Sequence, residues 1–230
     1  LGLTVLILPM TVQRSSVLVD WPIMFFLSLL LLVFLLDSQL TRLEGALFVL
    51  LLLSYLVFSI RQSRKPAARE VEKATVLQKT PRWVTALIFL AACAGLTFGA
   101  SLLVKSAAEM AQYFGISERV ISITMVALGT SLPELVTSLI AAIKKEMEIS
   151  LGNILGSNIM NIASVLGITA LIQPINTVPE VLRIDMPWMI ASALLLFVFM
   201  LPLKKGRITR IQGAIMFIAY TSYIYFIFIS

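Results

Sequence analysis

Residues 127–167 read ALGTSLPELVTSLIAAIKKEMEISLGNILGSNIMNIASVLG, and this stretch decides the fold. It predicts two apolar helices joined by a short polar turn, each with a polar break near its middle. The first break is GTSLPE at 129–134, and the second is GNILGSN at 152–158. Polar and ionisable side chains at membrane depth are costly and usually functional. In a membrane protein, these breaks would therefore be the first candidates for a site.

The composition indicates a membrane protein. Hydrophobic residues make up 59% of the chain and charged residues 13%, against about 45–50% and about 25% in soluble domains. Several apolar stretches approach the roughly 20 residues that a spanning helix needs. We therefore predict an all-α membrane protein rather than a soluble one. It would have about eight spans, at residues 1–10 (the end of a helix), 22–36, 45–60, 83–110, 120–143, 149–172, 187–203 and 208–230.

Segment 61–82 is the most charged part of the chain, and its basic residues outnumber its acidic ones. It predicts a linker between two membrane halves. Short loops rich in Lys and Arg stay on the cytoplasmic side, so the linker is expected there. Counting spans from it puts Lys144, Lys145 and the basic loop at 204–207 on the same side, and the C-terminus outside. The net charge of +6 then follows from topology, and no nucleic-acid partner is expected.

The chain also repeats itself. LGLTVLILPM at 1–10 matches LGITALIQPI at 166–175, and TRLEGA at 41–46 matches TRIQGA at 209–214. The orientation count places the loops that follow 1–10 and 166–175 on opposite sides, which predicts inverted repeats of the kind found in secondary transporters. Residues 83–165 have no counterpart in this chain, so we expect an N-terminally truncated chain with an incomplete first repeat.

The first break offers oxygen ligands. Pro133 has no N–H, so the carbonyl of Gly129 loses its helical partner. Non-helical backbone at this depth is tolerated only where it is buried in protein or lines a cavity. A carboxylate within a membrane is expensive, which indicates that Glu134 has a function. The candidate donors are the carbonyl of Ala127, the hydroxyls of Thr130 and Ser131, and the carboxylate of Glu134.

The second break adds neutral oxygens. Asn153, Ser157 and Asn161 recur at intervals of four residues, so they share one face of a helix. Gly152 and Gly156 are expected to let the two helix backbones approach closely. Asn158 lies in the same break and completes the polar segment.

The ligand chemistry predicts a hard cation. The chain has no His and one Cys, Cys93, which argues against zinc, copper and iron because those metals favour nitrogen and sulfur ligands. Mixed carbonyl, hydroxyl and carboxylate oxygens suit Ca²⁺ and Na⁺ better than Mg²⁺, which retains its water. No nucleophile–base pair stands out, so neither an enzyme nor a cofactor is expected.

Other polar residues have structural interpretations. Asp20 and Asp185 each precede a proline by two residues and are predicted to cap the following helix. Hydroxyl side chains in membrane helices often bond backbone or join helices, and we interpret four in this way: Thr124, Thr137, Ser138 and Ser164.

The two breaks together resemble the second α-repeat of the Ca²⁺/cation antiporter superfamily, and look closest to prokaryotic sodium/calcium exchangers. That resemblance implies a ten-helix fold of two inverted five-helix repeats. Residues 1–60 would hold the end of a third helix plus two spans, and 61–82 a cytoplasmic linker. Residues 83–230 would be a complete second repeat, with its ion-binding part at 120–172. The membrane would be the inner membrane of a prokaryote.

Carried over by motif position, the resemblance implies that Glu134 is a carboxylate shared by Ca²⁺ and Na⁺. The neighbouring ligands would be Thr130, Ser131 and the Ala127 carbonyl, with Ser157 and Asn161 on the facing helix. The helix-break positions around them would be Gly129, Pro133, Asn153, Gly156 and Asn158.

The implied function is exchange of Ca²⁺ for Na⁺ by alternating access, since overlapping sites cannot hold both ions at once. The transported ions and the lipid bilayer are the expected partners, together with the absent part of the first repeat. A Ca²⁺/H⁺ antiporter of the same fold is the nearest alternative. A cation channel or a membrane scaffold is a more distant one.

Overall fold

The computed structural model describes residues 1–70, 81–113, 115, 118–201 and 206–229. Within these ranges only the backbone is described at 63–70, 82, 111, 118–128, 130, 147–148 and 228–229. The described residues are mostly helical, as predicted. The α-helices are α1 (Gly2–Ile7), α2 (Trp21–Phe34), α3 (Arg42–Glu70), α4 (Arg82–Tyr113), α5 (Glu118–Ile143), α6 (Met147–Met160), α7 (Gly167–Ile172), α8 (Met186–Met200) and α9 (Arg210–Ile229).

Short π-helical and 3₁₀ segments and four two-residue strands join these helices. The π-helical segments are Ser16–Asp20, Asn161–Leu166 and Val181–Asp185, and Leu35–Asp37 is a 3₁₀ turn. The strands are β1 (Met10–Thr11), β2 (Gln39–Leu40), β3 (Ile175–Asn176) and β4 (Arg207–Ile208).

Five stretches of the described residues are helical, long and apolar enough to cross a membrane, and each overlaps a predicted span. The part of α5 whose side chains are described, Ser131–Ile143, is an apolar helix shorter than these five stretches. The count of about eight spans stays a prediction. The five stretches are Ser16–Asp37, Arg42–Gln62, Trp83–Met110, Ile149–Ile172 and Val181–Met200.

The contacts divide the chain into two compact units. The first consists of Leu1–Phe58 and Thr137–Ser230, and the second of Ser59–Val136. The boundaries fall inside α3 and α5, so both helices contribute to both units. Helix α3 continues to Glu70, into the segment predicted as the basic linker. Residues 71–80 of that linker, and Lys204 and Lys205 of the second basic loop, lie outside the described residues.

The core of the first unit is apolar and centred on an aromatic stack. Trp21, at the start of α2, lies between Phe25 and Phe197, with ring centroids 4.8 and 4.1 Å away. Its indole Nε1 donates a hydrogen bond of 2.9 Å to the carbonyl of Ala193. A buried Trp needs such a partner for its N–H, and this bond fixes α2 against α8.

Two pairs of helices cross at glycines. A Cβ added to Gly45 of α3 would lie 2.7 Å from the carbonyl oxygen of Gly167 in α7. A Cβ added to Gly213 of α9 would lie 2.8 Å from the backbone nitrogen of Leu6 in α1. These helices therefore touch backbone to backbone, which only residues without a side chain permit. In the sequence match, the 1–10 segment corresponds to the 166–175 segment, and Gly45 corresponds to Gly213.

The two strand pairs, and the capped starts of α3 and α9, also lie at positions that correspond in the sequence match. Met10 pairs with Ile208 in one antiparallel ribbon, and Leu40 pairs with Ile175 in the other. The TRLEGA and TRIQGA segments at 41–46 and 209–214 are capping boxes. The backbone N–H of Thr41 donates to the Glu44 carboxylate at 2.7 Å, and that of Thr209 to the Gln212 side-chain carbonyl at 2.8 Å.

The prediction that Asp20 and Asp185 cap the next helix is wrong. Neither side chain makes a capping bond. Each instead accepts a hydrogen bond from a tyrosine hydroxyl, Tyr55 at 3.2 Å and Tyr223 at 2.7 Å. A capping residue needs non-helical dihedral angles, but both aspartates end a π-helical segment that runs directly into the following α-helix.

Candidate cation site

The first predicted break does not interrupt the helix. The backbone is α-helical from Glu118 to Ile143, with Pro133 inside it. Proline removes one backbone donor but holds a φ angle close to the helical value, so the helix continues past it. The Gly129 carbonyl still lacks the N–H that residue 133 would otherwise donate. Our expectation of a break is therefore corrected to a continuous helix that lacks this one hydrogen bond.

The candidate residues of this helix differ in exposure. Ser131 is exposed, whereas Glu134 is partly buried and its Oε2 oxygen is buried. Ala127 and Thr130 lie on the helical backbone of α5, and their side chains lie outside those described. The carboxylate thus combines a formal charge with a water-poor position, which is the property that a cation-binding group needs in a membrane.

Gly129 has a packing role that its motif does not reveal. A Cβ at this position would lie 3.1 Å from Cγ2 of Val104 in α4. Contacts that close are tighter than most real Cβ contacts, so a side chain at Gly129 would require the Val104 side chain to move by a few tenths of an ångström. The glycine therefore serves the contact between two helices of the second unit.

The second predicted break is also helical. Ser157 and Asn158 both direct their side chains to the carbonyl of Ile154, with the Ser157 hydroxyl donating at 3.0 Å and the Asn158 amide at 2.8 Å. Because a hydroxyl that donates its hydrogen still has oxygen lone pairs, Ser157 remains able to ligate a cation. Ser157 is partly buried, and Asn158 and Asn161 are exposed.

The departure from α-helical geometry lies one step further along the chain. The segment Asn161–Leu166 is π-helical and begins at the last of the three polar positions. Single π-turns inside helices are often found at functional sites. The spacing of Asn153, Ser157 and Asn161 at intervals of four residues does not predict this change from α-helix to π-helix. A Cβ added at Gly152 or Gly156 meets nothing within 4 Å among the described residues, so the close approach predicted at these glycines is not seen there.

A buried polar bridge joins α5 to α6 within the first unit. Ser150 donates its hydroxyl to the backbone carbonyl of Ser138 at 2.8 Å. Asn153 donates its side-chain amide to the Ser138 hydroxyl at 3.0 Å. Ser138 and Ser150 are 1% and 0% exposed. The interpretation of Ser138 as a residue that joins helices is confirmed. Ser150 was missed, although its position three residues before Asn153 puts it on the same helical face.

The candidate ligands fall into two groups. Ser131 and Glu134 belong to the second unit, and Ser157 and Asn161 to the first. Among the described residues, no three of the types His, Cys, Asp and Glu form a cluster. As residue types, these candidates offer neutral oxygens and one carboxylate, which are donors that suit Ca²⁺ and Na⁺.

The family model described as "Sodium/calcium exchanger protein" matches residues 1–61 and 84–229. The chain belongs to the sodium/calcium exchanger family. The resemblance inferred from the two motifs is thereby confirmed. This family consists of membrane transporters rather than enzymes, and its assignment agrees with the long apolar helices described above.

Named relatives cover the chain to different extents. The chain is 36% identical to CaxA of Alkalimonas amylolytica, which carries the name of an antiporter, over 100% of this chain and 74% of that protein. It is 43% identical to the sodium/calcium exchanger MaX1 of Methanosarcina acetivorans over 50% of this chain and 33% of that protein.

A solved structure is similar along nearly the whole chain. The sodium-calcium exchanger NCX_Mj, soaked with Na⁺ and Sr²⁺, superposes with a TM-score of 0.75 at 28% identity. The superposition covers 97% of this chain and 69% of that one. Family, relatives and structure together support a multi-pass membrane protein of the cation antiporter type.

Proposed function

We propose that the protein exchanges Ca²⁺ for Na⁺ across the membrane. The observation that carries this proposal is Glu134, whose Oε2 is buried. It is the only charged residue of α5 between Arg119 and Lys144. A carboxylate with a buried oxygen at membrane depth attracts a cation strongly, because burying a charge there is costly. Membership of the sodium/calcium exchanger family makes Ca²⁺ and Na⁺ the first cations to test.

The proposed ligands are those of the two polar segments. On α5 they are the carboxylate of Glu134, the hydroxyls of Ser131 and Thr130, and the Ala127 carbonyl; on α6 they are Ser157 and, at the start of the π-helical segment, Asn161. The surrounding positions would shape the site without binding the ion. They are Gly129, Pro133, Asn153, Gly156 and Asn158.

We propose that the chain contains two inverted repeats. The reciprocal contacts support this arrangement, because each pair of matched positions exchanges partners: α1 crosses α9 as α7 crosses α3, and β1 pairs with β4 as β3 pairs with β2. In an inverted-repeat transporter the substrate site lies near the midplane between the repeats. The proposed domains are 1–60 for part of the first repeat, 61–82 for the linker and 83–230 for the second repeat.

Exchange by alternating access follows from charge and overlap. A site with a net negative charge in a poorly solvated cavity resists exposure to the membrane interior when empty. One Ca²⁺ or several Na⁺ neutralise it, and overlapping ligands prevent both sets from binding together. We propose that the long helix α4 moves to open the site to either side. The inner membrane of a prokaryote would be its location, with the linker in the cytoplasm and the C-terminus outside, as the basic loops indicate.

The test measures ion exchange directly. The protein, expressed from its complete gene, is reconstituted into liposomes loaded with Na⁺, and uptake of radioactive Ca²⁺ is followed after dilution into Na⁺-free buffer. We expect uptake that requires internal Na⁺ and is lost in Glu134→Gln. Glu44→Gln is the matched control, because the equivalent capping box already uses Gln212. It should transport like the unaltered protein.

Other outcomes separate the alternatives. Uptake that follows an imposed pH gradient and ignores internal Na⁺ would assign the protein to Ca²⁺/H⁺ exchange. Continuous Ca²⁺ flux without any counter-ion would indicate a channel. Full activity in Glu134→Gln would contradict the assigned role of this carboxylate.

A further inference from the structure

We propose that Ser138, Ser150 and Asn153 form a positioning brace that sets the register of α5 against α6 and thereby tunes ion affinity at the proposed site. This inference rests on the proposed function. The three residues touch no ion in the proposal. They act through the two helices that carry the ligands.

The brace holds α5 through two groups of one residue, the backbone carbonyl and the side-chain hydroxyl of Ser138. Ser150 bonds the backbone carbonyl of Ser138 at 2.8 Å, and Asn153 bonds its hydroxyl at 3.0 Å. Ser150 and Asn153 lie three residues apart on one face of α6, so Ser138 receives bonds from two successive levels of that helix. A shift of α6 along its axis by a single residue, about 1.5 Å, would lengthen both bonds at once.

Burial makes the brace hard to replace by water. Ser138 and Ser150 are 1% and 0% exposed; Ala142, four residues after Ser138, and Leu151, next to Ser150, are 0% and 1% exposed. Removing the hydrogen-bond partner of a polar group in such surroundings destabilises the protein, because no water can take the partner's place. A bond to a carbonyl and a bond to a hydroxyl also demand direction, which apolar contacts between alanine and leucine do not.

The brace lies one helical turn from each group of proposed ligands. Along α5, Ser138 follows Glu134 by four residues, and along α6, Asn153 precedes Ser157 by four residues. The turn between the helices is itself well defined. Lys145 adopts a left-handed conformation with φ of 64°, and Glu146 N–H bonds the carbonyl of Ala141 at 2.8 Å. With the turn and the brace both fixed, little freedom remains in the relative register of the two helices.

The experiment measures the Ca²⁺ dependence of Na⁺-driven uptake in the same liposomes. Ser138→Ala and Asn153→Ala each remove the side-chain bond, and we expect each to raise the KM for Ca²⁺ about 3- to 15-fold, as for loss of an interhelical bond in a membrane. Ser138→Thr keeps the hydroxyl and should restore the KM. The double Ala variant should be no worse than the poorer single variant, because both changes delete the same bond.

Ser28→Ala is the matched control. Ser28 is 3% exposed and bonds only within its own helix, to the Met24 carbonyl at 2.9 Å among the described contacts, so its removal should leave the KM unchanged. Thermal melting of each purified variant separates affinity from folding. If an Ala variant melts at a lower temperature than the unaltered protein, the KM of Ser138→Thr, which retains the bond, decides the outcome.

The outcomes are distinct. A raised KM in Ser138→Ala and Asn153→Ala, with rescue by Ser138→Thr, supports the brace. An unchanged KM in both single variants, in liposomes where the unaltered protein exchanges Ca²⁺ for Na⁺, overturns the brace and leaves the proposed function intact. Absence of Na⁺-driven uptake by the unaltered protein overturns the proposed function, and the brace proposal with it.

Discussion

Replacing Gly45 with alanine should destabilise the protein strongly, although alanine is the better helix former. The added Cβ would lie 2.7 Å from the carbonyl oxygen of Gly167, 2.7 Å from the backbone nitrogen of Leu171 and 2.9 Å from the Cβ of Ala170. All three atoms belong to the backbone or to a Cβ, so none can move by a change of rotamer. Helices α3 and α7 must separate instead.

The magnitude follows from these distances. Ordinary contact begins at 3.4 Å, so the helices would separate by about 0.7 Å, the difference between 3.4 and 2.7 Å. A gap of about 0.5–1 Å forfeits roughly a quarter to a half of each neighbouring dispersion contact, and overpacking in a core costs about 1–3 kcal/mol. The higher helix propensity of alanine offsets about 1 kcal/mol of this overpacking cost. We expect a net loss of about 2 kcal/mol at the upper end of that range.

Thermal unfolding of the purified protein in detergent provides the assay. A change of 1 kcal/mol shifts Tm by about 2–4 °C for a chain of this size, so Gly45→Ala should melt about 4–8 °C lower. Gly95→Ala is the control, because a Cβ at Gly95 meets nothing within 4 Å among the described residues. It should melt at or slightly above the unaltered protein. Gly213→Ala, at the matched crossing, should resemble Gly45→Ala. Equal melting of Gly45→Ala and Gly95→Ala would refute the backbone contact.

Three further predictions concern side-chain hydrogen bonds. Glu44→Ala should lower the stability by about 1 kcal/mol, the usual value of a helix cap, whereas Glu44→Gln should be nearly neutral; melting of both variants checks this. Tyr223→Phe should cost more than Tyr55→Phe, within about 0.5–1.5 kcal/mol, because its bond to aspartate is 2.7 Å against 3.2 Å; equal costs would contradict the difference in geometry. Trp21→Phe should cost more than a loss of area alone, because it leaves the Ala193 carbonyl without its 2.9 Å donor. Denaturation of Trp21→Phe beside Trp83→Phe, which is exposed, measures that excess.

Matched segments of the sequence predicted more of the tertiary structure than their residues alone suggest. TRLEGA and TRIQGA were recognised as a repeat, and in the structure each combines a capping box with a glycine crossing. Local chemistry explains the capping, because Thr followed three residues later by Glu or Gln is sufficient to form the box. The crossing depends on a second helix, and the sequence of α3 does not say which helix that is.

Predictions that relied on one residue type in isolation fared less well. Asp20 and Asp185 were assigned as caps because each stands just before a proline, but their carboxylates accept bonds from tyrosines 35 and 38 residues away. Pro133 was expected to open the helix, but the helix runs through it. The aspartates failed as caps because their partners are distant tyrosines, whereas the helix continues at Pro133 because proline holds a φ angle close to the helical value.

The sequence by itself determined that this chain is a helical membrane protein, because apolar length is a property of contiguous residues, and its two oxygen-rich motifs resemble those of the exchanger family. It also predicted which residues are candidates to bind a hard cation, since oxygen donors are identified by residue type. Only the tertiary structure decided which glycines bring helices into contact, and that Ser138 bonds Ser150 and Asn153. These facts depend on the relative position of helices, and an interhelical distance is set by the packing of all the side chains between them rather than by any local pattern.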